Sequence, residues 1–473
     1  MTTPLPPWLE AFRARHDATV IETHISWLLL AGALTWKIKK PIGLPFLDYG
    51  SAEKRRRCCE AELRLNRRFA PDLYLGLEVV GTSDQGEEWA VQMRRFPEAQ
   101  RLDHVCAHGQ LRLAHLSGLA VTLHAFHREA PVAGPDSPFG EPGQVLAPAL
   151  ENFTELAALA PAQASRLARL EAWTRAEFAR IRPALAARKA AGRVRECHGD
   201  LHLGNLVLLD DRITPFDCIE FNPQLRWIDV ASEIAFTYID LLDHRRPDLA
   251  AWLLNEWLTL SGDFDAMQVL RFYAVYRAMV RAKVAGLGGA SEGVEAYLRL
   301  AEEISSPPPL RLVIACGVSG SGKTTASADL LLADASATTV RLRSDVERKR
   351  LFGLGPLDDS RVVPGGIYTP GSTLRTYTTL HDTARLLLGA GWSVVVDAAF
   401  LRRDERNRFL ALANAHGASL DILACSAPDE ELRRRLLARH GDASEATVDV
   451  LDRQLRWMEP LDADELVRVV GPG

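Results

Sequence analysis

The chain is poor in lysine. Arginine carries most of its positive charge, and the lysines are Lys37, Lys39, Lys40, Lys54, Lys189, Lys283, Lys323 and Lys349. Any site that needs an ammonium group therefore has few candidates. There is no CxxC pair, and the seven cysteines (Cys58, Cys59, Cys106, Cys197, Cys218, Cys316, Cys425) are spread through the chain without a framework. That excludes a disulfide scaffold and reads as reduced thiols. There is no positive excess: the formal net charge is -5. A chain built mainly to hold nucleic acid by its phosphates is thereby excluded, and no nucleic-acid partner is expected. The most apolar early run, 27–34, is far short of the roughly 20 residues that span a bilayer, so no membrane partner is expected. The first ten residues hold Pro4, Pro6 and Pro7 and no basic region ahead of an apolar core. This is not the pattern of a signal peptide, and the expected location is the cytoplasm. Tandem repeats, heptads and long low-complexity tracts are also missing.

What is there is a globular composition, 47% hydrophobic and 25% charged, over 473 residues. That length exceeds one ordinary hydrophobic core. The clearest break is Ser305, Ser306, Pro307, Pro308, Pro309, a stiff linker between a helical stretch (295–303) and an apolar strand. It divides the chain into expected domains 1–306 and 307–473. A second Pro/Gly-rich stretch, 131–148, reads as a surface loop. After the linker, strands at 311–316, 338–342, 393–396, 419–424 and 466–470 alternate with helices from 323 and at 374–388, 403–416, 430–439 and 446–457. A long polar insertion precedes 374. The alternation predicts an α/β fold with a parallel sheet covered on both faces. Before the linker, the first hundred residues read as β-rich with one helix (55–69). Residues 105–300 read as helical, interrupted by a hairpin of 206–209 and 213–216 turning at Asp210 and Asp211.

The segment Gly317, Val318, Ser319, Gly320, Ser321, Gly322, Lys323, Thr324 satisfies G-x-x-x-x-G-K-[ST] directly after a strand and before a helix. This is the phosphate-binding P-loop (Walker A). Its glycines let successive N–H groups, including those of Ser319, Ser321 and Thr325, aim at a phosphate at the positive end of a helix. Lys323 would reach the β/γ-phosphates and Thr324 would ligate Mg²⁺. Arg343, Ser344 and Asp345 end the next strand, where an aspartate can orient or deprotonate an acceptor hydroxyl. A helix cap is the plainer role for Asp345. Arg348 and Lys349, a turn further on, would pair with an acidic acceptor or a phosphate. The strand ending at Asp397 offers a carboxylate for the Mg²⁺ shell. The helix carrying Arg433, Arg434, Arg435 and Arg439 suits a lid in which Arg435 and Arg439 stabilise charge on the transferring phosphoryl group, or else a solvated basic face. Over about 310–460, these motifs together resemble the P-loop small kinases related to zeta toxin and polynucleotide kinase.

In the first half, His198, Gly199, Asp200, Leu201, His202, Leu203, Gly204, Asn205 has the H-x-D-x-x-x-x-N spacing of a kinase catalytic loop. Asp200 would accept the acceptor's proton, while Asn205 and Asp217, after the hairpin, would hold Mg²⁺. A zinc site built on His198, Asp200 and His202 is the rival, opposed by the two glycines. Lys37 and Lys39 share one face of a strand, and one of them would contact the nucleotide phosphates, Lys37 being preferred for its mid-strand place. Its ion-pair partner would be Glu62 or Glu60. The order lysine strand, glutamate helix, H-x-D-x-x-x-x-N, aspartate is similar to that of protein-kinase-like phosphotransferases, and the HGD form resembles the aminoglycoside phosphotransferase branch, which also holds choline and small-sugar kinases. The resemblance spans about 20–290 and implies an α+β bilobal fold. No G-x-G-x-x-G precedes Lys37, so nucleotide gripping there is altered. The resemblance places Asp229 as a brace of the catalytic loop. His108, His115, His124 and His127 read as packing residues.

The whole chain resembles a bacterial family of fused kinases. Two ATP- and Mg²⁺-dependent domains, each phosphorylating a small hydroxyl-bearing molecule, are the expected function. One alternative is a single live P-loop kinase beside a degenerate ligand-binding domain. Another is a regulatory or toxin-like ATPase acting on a macromolecule.

Overall fold

The computed structural model describes residues 4–44, 47–438 and 441–471. The chain forms two compact units: Met1–Pro148 with Leu185–Asp240, and Ala149–Ala184 with Leu241–Gly473. The Ser305–Pro309 linker lies inside the second unit, so the expected 1–306/307–473 boundary does not coincide with the edges of the compact units.

The first unit opens on the helix Pro7–His16, a second helix where sequence suggested one in the first hundred residues. A five-stranded antiparallel sheet follows, in the order Thr19–Glu22, Ser26–Ala31, Leu34–Lys39, Gly86–Arg94, Tyr74–Ser83. Alternate residues Leu29, Trp36, Ile38 and Ala90 close over Leu9 and Phe12 of that first helix, the two-residue period of a sheet with one buried face. The helix Ala52–Asn66 starts three residues earlier than expected because Ser51 caps it, accepting the Lys54 N–H. The hairpin is Leu206–Leu209 with Arg212–Pro215. A second pair, Val194–Glu196 with Trp227–Asp229, escaped the sequence reading because three-residue strands carry no readable period. The expected loop at 131–148 becomes helical at Pro142, the start of Pro142–Leu159. Proline is pre-organised for a first helical turn, so its presence there does not argue for a loop.

In the second unit a five-stranded parallel sheet runs Thr339–Arg343, Ser393–Asp397, Arg311–Cys316, Ser419–Ala424, Val469–Val470. Its central strands are buried on both faces, as continuous apolar runs require. The helix expected at 374 begins at Pro370, fixed by a Thr369/Ser372 capping box. The insertion before it holds the short helix Ser344–Arg350. The last expected strand is mostly not one: Ala463–Leu466 is helical and only Val469–Val470 pairs. Asp462 caps that helix through reciprocal bonds with Glu465.

The helix Pro247–Ser261 packs on the outer strand of this sheet, and Met267–Leu287 meets the helix Pro370–Gly389 and the turn after it. Asn255, 2% exposed, donates to the Thr339 carbonyl at 3.1 Å and accepts from the Arg341 N–H at 2.7 Å. One amide thus satisfies the open edge of the outer strand. Trp392 donates to the Met267 carbonyl at 2.9 Å, and Arg271 lies 5.0 Å from the Trp392 ring centroid while donating to the Gly391 carbonyl at 2.7 Å. Among the described residues no helix is long and apolar enough to cross a membrane.

Candidate active sites

The P-loop turn joins the buried strand Arg311–Cys316 to the helix Lys323–Leu332. Gly317 must be glycine, since a Cβ there would stand 2.3 Å from the Cys425 carbonyl oxygen. Gly320 and Gly322 take positive φ of 85° and 95°, the left-handed backbone that turns N–H groups inward. The Ser319 N–H already donates to an oxygen, Gln454 Oε1, at 2.7 Å. Lys323 Nζ donates to the Val318 carbonyl at 2.8 Å, folded back along its own loop. The Ser321 hydroxyl, nearly buried, finds no hydrogen-bond partner among the described residues. A glycine cradle, an orphaned hydroxyl and an N–H turned to an acceptor oxygen fit a phosphate group.

A cleft of about 1700 Å³ opens over this loop, lined by Ser319, Gly320, Ser321, Gly322, Lys323, Thr324, Thr325, Asp345, Asp397 and Arg435. The expected P-loop residues therefore converge, Gly317 alone lying behind the loop. Thr324 and Asp397 offer only oxygens, the donor set Mg²⁺ takes. Arg343 spans Asp397 (3.8 Å) and Asp442 (2.8 Å). Asp345 is not the helix cap, a place held by Arg343; its Oδ1 accepts from Tyr368 Oη at 3.3 Å. Arg435 donates to the Gly320 carbonyl at 3.2 Å and to Glu431 at 2.6 Å, whereas Arg433 and Arg434 pair with acids on the exposed face. Arg439 lies outside the described residues.

Lys349 is not placed to meet a substrate. It is buried, bonded to the Asp358 carbonyl at 2.7 Å and paired with Glu445 at 2.9 Å, so it fixes the insertion instead. Arg348 does line the cleft, bonded to Thr373 at 3.2 Å and set 5.1 Å from the Tyr368 ring centroid. Sequence reasoning missed Gln454, Asp442, Trp252 and Glu256, which also line the cleft. Their only signal is position on helices or loops distant in sequence.

In the first unit Lys37 meets Glu62 Oε1 at 2.9 Å and also touches Asp217. Glu60 is exposed and pairs with Arg56, so Glu62 is the partner that the fold brings to the lysine. Lys39 is fully buried and bonded to the other Glu62 oxygen and to Glu220, which also accepts from Tyr49. Burial opposes the Lys37 ammonium, but Asp217 and Glu62 outweigh it and hold its pKa above the ordinary lysine value. Burial likewise opposes the Asp217 carboxylate, and Lys37 overrides it, holding the pKa low; the neighbouring Asp200 works against that shift. Asp217 has a positive φ of 64°, a conformation rare for a non-glycine residue and one that concentrates at functional sites.

Asn205 Nδ2 donates to Asp200 Oδ2 at 3.0 Å and also to the Asp200 carbonyl. Gly199 allows the loop to pass here, because a Cβ would lie 2.7 Å from the Leu225 carbonyl. His198 is buried; Nδ1 accepts the Asp200 N–H and Nε2 donates to the Phe216 carbonyl at 2.8 Å. Burial, though offset by Glu233, keeps its pKa below the usual histidine value. Both ring nitrogens are engaged by backbone, which displaces the zinc reading.

The brace of this loop is Glu233, not Asp229. Asp229 is held by Arg188 at 2.7 and 2.8 Å and caps Ala231. Glu233 accepts the His198 and Gly199 N–H groups at 2.7 and 3.0 Å, Thr237 donates to the Leu201 carbonyl, and Asp240 accepts the Leu203 N–H at 2.8 Å. These three residues form one buried face of the helix Val230–Asp243, at the spacing of successive turns. His127 and Cys197 lie beside Glu233, whose two oxygens are already taken up by the loop. The turn between the first two strands, Thr23 to Ser26, contains no glycine and is closed by a Thr23–Ser26 pair of 2.9 Å bonds, while the turn that leads into the Lys37 strand carries Gly32 at a φ of 55°.

Residues 51–270 match the family described as "Phosphotransferase enzyme family", and residues 312–461 match that described as "AAA domain". Uncharacterized proteins of Mycobacterium tuberculosis and Mycobacterium bovis are 32% identical over 474 residues, covering 96% of this chain and 92% of theirs. The chain belongs to that two-domain family. It carries a phosphotransferase-family domain with a kinase-like fold, then a P-loop kinase-like domain. Among solved structures, an aminoglycoside 2'-phosphotransferase in complex with GDP is 12% identical over 63% of this chain and 97% of its own, with a TM-score of 0.40. The APS kinase of Mycobacterium tuberculosis is 21% identical over 27% of this chain and 69% of its own, with a TM-score of 0.22.

Proposed function

We propose that this protein is a bifunctional ATP-dependent phosphotransferase, each unit moving the γ-phosphoryl group to the hydroxyl of a small molecule. One observation carries the reading. In each unit a lysine, a carboxylate suited to an acceptor hydroxyl and a further oxygen donor stand together: Lys323, Asp345 and Asp397 in one, Lys37, Asp200 and Asp217 in the other. Phosphoryl transfer asks mainly for positioning and charge stabilisation, and these groups supply both. In the P-loop cleft, Lys323 and the loop N–H groups bind phosphate, Asp345 orients the acceptor and takes its proton, and Arg435 steadies the loop. In the first unit Lys37 binds phosphate, Glu62 orients Lys37, and Asp200 takes the proton. Mg²⁺, held by Thr324 with Asp397 and by Asn205 with Asp217, would neutralise phosphate charge when bound. The acceptor is a small molecule rather than nucleic acid, given the net charge of -5. The cytoplasm, where ATP and reduced thiols coexist, suits a chain whose seven cysteines are spread without a disulfide framework.

The test uses the intact chain, labelled ATP and a metabolite pool. Lys323→Ala removes one set of labelled products by about 100-fold or more, and Asp200→Asn removes a different set by a similar factor. Products that survive both substitutions would falsify the two-site reading. A second reading has a specific basis: the glycine-free turn between the first two strands and the Lys37–Asp217 contact suit a first unit that binds ligand without turnover. It predicts that Asp200→Asn changes no product and Lys323→Ala removes all of them.

A further inference from the structure

The P-loop cleft is not walled by the P-loop domain alone. Trp252 and Glu256, from the helix Pro247–Ser261, line the same cleft as Thr324, Arg341 and Asp345. They are one helical turn apart and share a face. Around them Leu253, Leu254, Asn255, Trp257 and Leu258 are buried, while Trp252 and Glu256 are only half-buried, on the side that meets the cleft. The helix cannot drift, because both polar ends of the Asn255 amide are bonded to the outer strand of the sheet. Two residues further along that strand is Arg343, with Asp345 just beyond its end. Arg341 itself donates to the Thr324 carbonyl at 3.3 Å and lies 5.9 Å from the Trp252 ring centroid.

We infer that Trp252 and Glu256 form the far wall of the acceptor pocket of the P-loop site, and that the acceptor is a neutral polyhydroxylated small molecule. The inference rests on the P-loop kinase reading above and adds the substrate class. An indole face, two carboxylates (Glu256, Asp345) and two guanidinium groups (Arg341, Arg343) offer an apolar plate ringed by hydrogen-bond acceptors and donors. Hydroxyl groups both give and receive hydrogen bonds, so a polyol satisfies this mixed set. A cationic acceptor is disfavoured because Arg341 already stands over the ring. An anionic one meets Glu256 and Asp345, while Arg343 is already paired with Asp397 and Asp442 and Arg341 and Arg348 are bonded to Thr324 and Thr373. In the transfer, the acceptor oxygen bonds to the γ-phosphorus of ATP. The bond to the β-phosphate oxygen breaks with its electron pair leaving on ADP, and the hydroxyl proton passes to Asp345.

The test uses the intact chain carrying Asp200→Asn, so that turnover belongs to the P-loop cleft. ADP release is measured with MgATP and three acceptor sets: neutral monosaccharides and polyols, amino alcohols, and phosphorylated sugars or nucleotides. Transfer to a neutral polyol is expected. Trp252→Ala and Glu256→Gln each raise its KM by about tenfold or more, Trp252→Phe recovers most of the loss, and the Kd of a fluorescent ADP analogue moves less than twofold. An unchanged acceptor KM in both variants overturns the inference, as does acceptance of only amines or only anions, or no transfer to any polyol. Turnover that survives Lys323→Ala in this background defeats the P-loop kinase reading itself, an outcome distinct from loss at Lys323 without any effect at Trp252.

Discussion

Lys37 and Lys39 sit two positions apart on one strand, yet they do different work. Lys39 is sealed between Glu62 and Glu220, while the Lys37 side chain keeps a slight exposure and touches Asp217. The spacing of the two lysines told that they share a face. Which one meets Asp217 depended on Glu220, which holds Lys39 from 181 residues away. The pair Lys37–Asp217 also sets a pH response. The Asp217 pKa is depressed below 3.8, so its contribution to stability is present above that value and is lost as the pH falls through the folded value. The Lys37 pKa is raised above 10.5, so its contribution is complete below that value and is lost only as the pH rises through the higher folded value. Thermal melts of the intact chain should therefore hold a plateau across neutral pH and fall off at the acid end. Asp217→Asn should weaken that acid limb, and an identical limb in the variant would contradict the assignment.

At the scale of elements, two helices act through rows of polar side chains that face a backbone. The face of Val230–Asp243 carrying Glu233, Thr237 and Asp240 holds the His198–Asn205 loop, and Asn255 on Pro247–Ser261 closes the edge of the parallel sheet. The H-x-D-x-x-x-x-N spacing was legible because its members lie within one short loop. The brace was misplaced at Asp229, since a sequence shows that an acid follows the loop but not which acid turns toward it. Asn255→Leu removes both partners of a buried strand edge and leaves an N–H and a carbonyl unsatisfied. A loss of about 2–6 kcal/mol in urea unfolding is expected, since each of the two stranded groups costs roughly 1–3 kcal/mol. A change within a few tenths of a kcal/mol would show that the edge is satisfied in some other way.

At the scale of the whole molecule, the two family matches, 51–270 and 312–461, lie on either side of the Ser305–Pro309 linker, but the second compact unit runs across it. Helices before the linker cover the outer strand, bury Trp392 through Met267 and Arg271, and contribute Trp252 and Glu256 to the cleft. A fragment of residues 307–473 lacks all of these contacts. It should unfold at a clearly lower temperature than the corresponding transition of the intact chain, or aggregate; a cooperative transition at the same temperature would show that the helices are dispensable. By itself the sequence determined the P-loop turn, the catalytic-loop spacing, the alternation that makes a parallel sheet and the presence of two kinase-like folds. Each of these is written in neighbouring residues, where glycine, proline and side-chain period act on the local backbone. Tertiary structure alone decided which lysine meets Asp217, that Gln454 lies on Ser319 across 135 residues, and that a helix ahead of the linker lines the P-loop cleft. Those pairings follow from how buried faces pack, and no local pattern encodes where two distant faces will meet.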